Sequence, residues 1–105
     1  MKIAITSSDG KNVDKHFGRA TQFYIYELVA PVPKFIEKRN SIGYCSEEDN
    51  HNYNPNKLDL VYQKIKDCEI LCTVKIGNVP AAQLQEKGIN IIEFEGKLEK
   101  VFSSV

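Results

Sequence analysis

The chain has 105 residues, enough for one hydrophobic core and too few for two, so a single domain over residues 1–105 is expected. Fourteen basic residues balance fourteen acidic ones, which removes the electrostatic footprint of a non-specific nucleic-acid binder. The lysines and arginines are scattered, so no polybasic membrane patch forms, and 42% hydrophobic with 27% charged residues is the make-up of a folded protein rather than a disordered one.

Met1-Lys2 leads straight into Ile3-Ala4-Ile5, an apolar run too short for a signal peptide or a membrane span, so a cytoplasmic protein is expected. Lys2 to Ser7 reads as a first strand, apolar through its middle like a strand covered on both faces. Ser8-Asp9-Gly10-Lys11-Asn12 is turn chemistry. Gln22 to Val29 is a second strand, rich in aromatic and β-branched residues (Phe23, Tyr24, Ile25, Tyr26). Pro31 and Pro33 break it. Lys34 to Arg39 alternates loosely and reads as a more exposed third strand, antiparallel to the second because the link is short.

Ser46 to Asn56 is polar and acidic, the one stretch with the character of a mobile loop. Asn54-Pro55 is a helix start, with Asn as cap and Pro in the first turn. Leu58, Val61, Tyr62, Ile65 and Cys68 follow at helical spacing and mark one buried face, with Cys68 at the helix end. Glu69 to Val74 is a fourth strand. Asn78 is the expected cap of a second helix, with Pro80 in its first turn and Gly88 as its stop. Ile89 to Phe94 is a fifth strand, and Leu98, Val101 and Phe102 belong to a short closing helix.

This order makes an α/β domain with a mixed five-stranded sheet and flanking helices. Strands one to three form a meander, and the later strands follow right-handed crossovers. The fourth strand therefore lies beside the first, giving the order 3-2-1-4-5 with only the second strand antiparallel. Ligands of such sheets bind outside the carboxyl ends of the strands, where the chain order reverses. Here that crevice falls between the loops after strands one and four.

The first of these loops carries Asp14-Lys15-His16-Phe17-Gly18-Arg19-Ala20. Its imidazole can meet a metal and its guanidinium an anion, although a histidine simply exposed in a polar loop is the plainer reading. The second is Lys75-Ile76-Gly77-Asn78-Val79-Pro80. Gly77 allows close backbone approach and the following helix offers free N–H groups, but the spacing of a phosphate loop is absent.

The three cysteines read as thiols or ligands rather than a disulfide framework. Cys45 follows the third strand and so belongs to the same sheet edge as His16, whereas Cys68 and Cys72 read as core. A zinc pair at Cys68 and Cys72 fails, because four residues of strand span roughly 13 Å. His51 sits in the polar loop and reads as solvated. No Ser/His/Asp set is present. An RNase H-like nuclease would need several carboxylates around two metal ions, and only Asp9 and Asp14 are near the edge.

Taken in order, Lys2-Ile3-Ala4-Ile5, His16-Phe17-Gly18, Phe23, Tyr26-Glu27, Tyr44-Cys45, Asp67-Cys68, Leu71, Lys75-Ile76-Gly77, Pro80, Leu84 and Gly88-Ile89 resemble the dinitrogenase iron–molybdenum cofactor biosynthesis family, the NifX type and the C-terminal domain of NifB. The resemblance implies a ribonuclease H-like fold and non-catalytic binding, carriage or storage of an iron–sulfur precursor of the nitrogenase cofactor. It also implies nitrogenase-cofactor assembly proteins as partners, with neither nucleic acid nor membrane, and a monomer or weak homodimer. His16 and Cys45 are then the metal contacts, and Phe17, Gly18, Arg19, Lys75 and Gly77 complete the cofactor-binding set. The cluster would be transiently held and absent after purification in air. Two departures stand out. The chain carries no Cys-x-x-x-Cys-x-x-Cys run of a radical-SAM half, and its Ser46–Asn56 loop is acidic rather than glycine-rich. The alternative is a regulatory or interaction domain that kept the fold without the cluster.

Overall fold

The computed structural model describes residues 1–29, 32–43 and 55–104. Its main sheet has five strands: β1 (Lys2–Thr6), β3 (Gln22–Glu27), β4 (Lys34–Asn40), β5 (Ile70–Thr73) and β6 (Asn90–Glu93). They lie in the order β4-β3-β1-β5-β6. β1 pairs antiparallel with β3 and parallel with β5, β4 pairs antiparallel with β3, and β6 runs parallel to β5. This is the expected order and direction of the five strands.

The alternation of side chains along β1 separates two cores. Ala4 faces one side with Phe23, Ile25 and Leu71, and α1 (Pro55–Ile65) and α2 (Asn78–Glu86) cover them through Leu58, Val61, Ile65 and Leu84. Ile3 and Ile5 face the other side with Ile70 and Cys72, under Leu98 and Val101 of α3 (Leu98–Ser104). Both faces of β1 and β5 are thus buried, and each fully buried aliphatic side chain contributes about 1.5–3 kcal/mol. That is why these two strands read as unbroken apolar runs. β4 lies at the edge and is exposed along most of its length, as its weak alternation implied.

Three details differ from the sequence reading. α1 ends at Ile65, and Cys68 follows in a turn whose N–H donates to the Ile65 carbonyl at 2.9 Å. Gly77 rather than Asn78 is the N-cap of α2, with φ −64° and ψ 154°, so Asn78 is already helical. The polar stretch after β1 is more than a turn. β2 (Asn12–Val13) pairs with β7 (Gly96–Lys97) in a two-stranded ladder, and Val13 is fully buried. This ladder ties the first loop to the start of α3, where the Leu98 N–H donates to the Lys11 carbonyl at 3.0 Å. The loop needs Gly10 at its corner. Its φ is +73°, and a Cβ there would stand 2.6 Å from the Tyr24 ring.

The edge strand is clamped to α1 by one side chain. Arg39 donates to both carboxylate oxygens of Asp67 (2.6 and 2.9 Å) and to the Lys64 carbonyl (2.8 Å), while Lys2 reaches the same carboxylate at 3.2 Å. The Arg39 hydrogen bonds hold the Asp67 carboxyl well below the usual carboxylate range. A depressed folded pKa stabilises above the unfolded value and is lost as the pH falls toward the folded one. The stability gap between wild type and Asp67→Asn should therefore be full at neutral pH and shrink from about pH 4 downward. With Asp67 40% exposed, that gap should be about 1 kcal/mol or less. Urea melts of both proteins across this range check it.

Candidate functional site

Because β1 and β5 pair in parallel, with Ile5 opposite Cys72, their carboxyl ends lie side by side. Thr6 and Thr73 close these strands, and both are fully buried. The loops that leave them are joined by backbone. The Val74 N–H donates to the Lys15 carbonyl at 3.1 Å, and the Phe17 N–H donates to the Lys75 carbonyl at 2.9 Å. From below, the Thr6 and Thr73 hydroxyls reach the same Lys15 carbonyl at 2.7 and 3.1 Å.

His16 stands between these fastenings. Its own carbonyl accepts the Arg19 N–H at 3.0 Å and opens a 3-10 turn over Phe17–Arg19. Phe17 enters the core beneath α1 and α2 and is 2% exposed. Among the predicted site residues it is therefore an anchor for the loop as well as a neighbour of the histidine. The His16 and Arg19 side chains are exposed, and Gly18 is half-buried. Lys75 and Gly77 are exposed in the second loop, which is held by the Ile76 N–H donating to Glu93 Oε2 at 3.1 Å. The sheet thus brings His16, Phe17, Gly18, Arg19, Lys75 and Gly77 to one edge. Cys45 and His51 lie outside the described residues.

The charges at this edge are unequal. Asp9 accepts N–H bonds from Lys11 (2.8 Å) and Asn12 (2.9 Å), a bond from the Asn12 amide (3.1 Å) and one from the Ser7 hydroxyl (3.2 Å). The backbone bonds, Lys11 first, hold its carboxyl well below the usual range. Asp14 accepts the Ser8 N–H at 2.9 Å and the Ser8 hydroxyl. Gln22 donates to the Ser7 and Ser8 carbonyls at 3.0 and 3.1 Å. The acidic groups are consumed in shaping the loop. Among the described residues, the Lys15, His16, Arg19 and Lys75 side chains make no ion pair or hydrogen bond, so the edge offers cationic groups and an imidazole to an anionic partner.

No group of three or more His, Cys, Asp and Glu side chains that could hold a metal ion forms among the described residues. Cys68 and Cys72 are buried in the two cores, where burial pushes each thiol up to about 12, far from a reactive thiolate. Thr6, Thr73, Gln22 and Glu93 did not stand out in the sequence. A threonine closing an apolar strand is common, and only the parallel register shows that two of them meet.

The edge belongs to an α/β domain and lies at the carboxyl ends of two adjacent parallel strands, the place where sheets of this kind bind ligands. Residues 1–105 match the family model described as dinitrogenase iron-molybdenum cofactor, and the chain belongs to that family. It is 33% identical over 89 residues to the FeMo cofactor biosynthesis protein NifB of Klebsiella pneumoniae, covering 83% of this chain and 19% of that protein. It is 24% identical over 93 residues to the protein NifX of Rhodobacter capsulatus, covering 89% of this chain and 58% of NifX. The chain thus spans about a fifth of the NifB relatives. The crystal structure of PH0822 has the same fold, with a TM-score of 0.72 at 23% identity, over 99% of this chain and 88% of that one.

Two neighbouring residues should separate packing from ligand contact. Phe17→Ala empties a core position and should cost about 3–5 kcal/mol. His16→Ala removes an exposed side chain and should change stability by less than about 0.5 kcal/mol. Thermal melts of the two variants compare them directly.

Proposed function

We propose that the chain is a non-catalytic carrier or store for an iron–sulfur precursor of the nitrogenase iron–molybdenum cofactor. The observation that carries this reading is His16: an exposed imidazole on a fixed backbone, among the unpaired cations Lys15, Arg19 and Lys75. An anionic cluster needs a nitrogen or sulfur ligand and nearby positive charge. In this reading His16 supplies the ligand, Cys45 the second one, and Arg19 and Lys75 the neutralising charge. Membership of the dinitrogenase cofactor family supports the choice of cargo, and the assembly proteins of that pathway are the corresponding partners. Residues 1–105 act as one domain in this account, and the sheet order agrees with a ribonuclease H-like assignment.

Gly77 fits the same reading. Its φ of −64° is ordinary, and an added Cβ would meet only Pro80 at 3.6 Å, a normal contact. As the N-cap of α2, Gly77 holds a position that glycine fills better than alanine, and its bareness also leaves room for what approaches from outside.

A second reading, an interaction domain without cargo, draws on a separate observation. Val32, Phe35 and Ile36 are 68%, 49% and 38% exposed along the edge of the sheet, an apolar strip that suits a protein partner.

Anaerobic incubation with the cofactor precursor followed by gel filtration decides between them. The wild type should emerge brown with iron retained, and protein purified in air should be colourless. His16→Ala should lose most of the iron with a melting point close to wild type. A wild type that keeps no iron at any stoichiometry overturns the carrier reading in favour of the interaction domain.

A further inference from the structure

We infer that the buried hydroxyls of Thr6 and Thr73 are the positioning groups of the His16 edge, fixing the direction in which the imidazole is offered. The functional half of this inference rests on the carrier reading above; the structural half does not.

The two peptide planes that flank the His16 Cα are each pinned by a different set of bonds. The plane between Lys15 and His16 is held through the Lys15 carbonyl, which meets the Val74 N–H at 3.1 Å, the Thr6 hydroxyl at 2.7 Å and the Thr73 hydroxyl at 3.1 Å. The plane between His16 and Phe17 is held through the Phe17 N–H on the Lys75 carbonyl at 2.9 Å and the Arg19 N–H on the His16 carbonyl at 3.0 Å. Peptide planes are rigid, so fixing both leaves His16 at φ −70° and ψ 147° with only its side-chain torsions free.

The Thr pair is the part of this set that comes from the sheet itself. The two hydroxyl oxygens are 3.0 Å apart, so two protons are shared among three oxygen contacts in a fully buried spot. Such a network is cooperative and has no water to replace a missing member. Among the described residues, the two hydroxyls bond only to each other and to the Lys15 carbonyl. Their use lies in the loop above them. Groups that orient a ligand from behind it typically change metal affinity by roughly tenfold or more when removed.

The test uses the full chain with Thr6→Val, Thr73→Val and the hydroxyl-keeping Thr73→Ser. Two measurements are made on each: residue-resolved amide exchange, and anaerobic retention of a synthetic thiolate-capped [4Fe–4S] cluster. The valine variants should exchange about fivefold faster at Val74, Phe17 and Arg19, beyond any change in the core strands, with the melting point lowered by only a few degrees. Cluster retention should fall roughly tenfold, and Thr73→Ser should restore both. Faster exchange throughout the sheet, in step with a lower melting point, would make the threonines ordinary packing residues and overturn the inference. So would an unchanged exchange pattern in the His16 segment. If the wild type itself keeps no cluster, the carrier reading fails, and exchange alone then decides whether the threonines position the loop.

Discussion

The structure turns on one carbonyl, that of Lys15. It sits where the two central parallel strands end, and it accepts from the last residue of each strand and from the loop after β5. A polar group so placed must be bonded, because leaving it unpaired below the loop would cost about 1–3 kcal/mol. The bonds that satisfy it also draw the two loops together. They join the β1 loop to the β5 loop, set the start of the 3-10 turn and leave His16 above the core with Phe17 below it. Site and core are therefore one construction, and the loop cannot be rebuilt without disturbing strand ends that are fully buried.

The acidic residues follow from the same constraint. A loop of this length after a buried strand carries many N–H groups that no sheet partner satisfies. Asp9 and Asp14 take up six donors from this stretch, three of them backbone N–H groups, and the β2–β7 ladder takes up more. Carboxylates used this way hold the shape of the loop. Among the described residues, the side chains left without an ion pair or hydrogen bond at this edge are the cations Lys15, Arg19 and Lys75 and the His16 imidazole, beside the exposed, hydrogen-bonded carboxylates of Asp9 and Asp14. Asp67 is paired elsewhere, with Arg39 and Lys2.

Much of the sheet was legible because it depends on long-range rules that a sequence displays openly. The apolar runs of β1 and β5, the Pro-broken meander and the crossover helices admit few arrangements, and the observed order is the one they favour. Cys68 and Cys72 were legible as core for the same reason. The illegible parts are short or local. The two-residue strands β2 and β7 have no periodicity to detect, and the shift of the α2 cap from Asn78 to Gly77 turns on a single backbone angle. Phe17 was grouped with His16 through the family resemblance, yet consecutive residues pinned at both peptide planes point in different directions. Thr6 and Thr73 lie 67 residues apart, and only the register of β1 against β5 makes them a pair.

In the proposed carrier role, the contrast between a fixed backbone and a free side chain would suit a protein that must let go of what it holds. A cage of many ligands binds tightly and releases slowly, since differences in affinity appear mostly in dissociation. An imidazole on a loop with preset φ and ψ would lose little entropy on binding, because only its side-chain torsions remain to be ordered. Few contacts then suffice for capture, and few need breaking for transfer. The surrounding lysines and arginine add long-range attraction, which steers an anion to the edge without adding bonds that must later break. In this arrangement rigidity is placed in the threonine-bound carbonyl below the loop, and exchangeability in the groups above it.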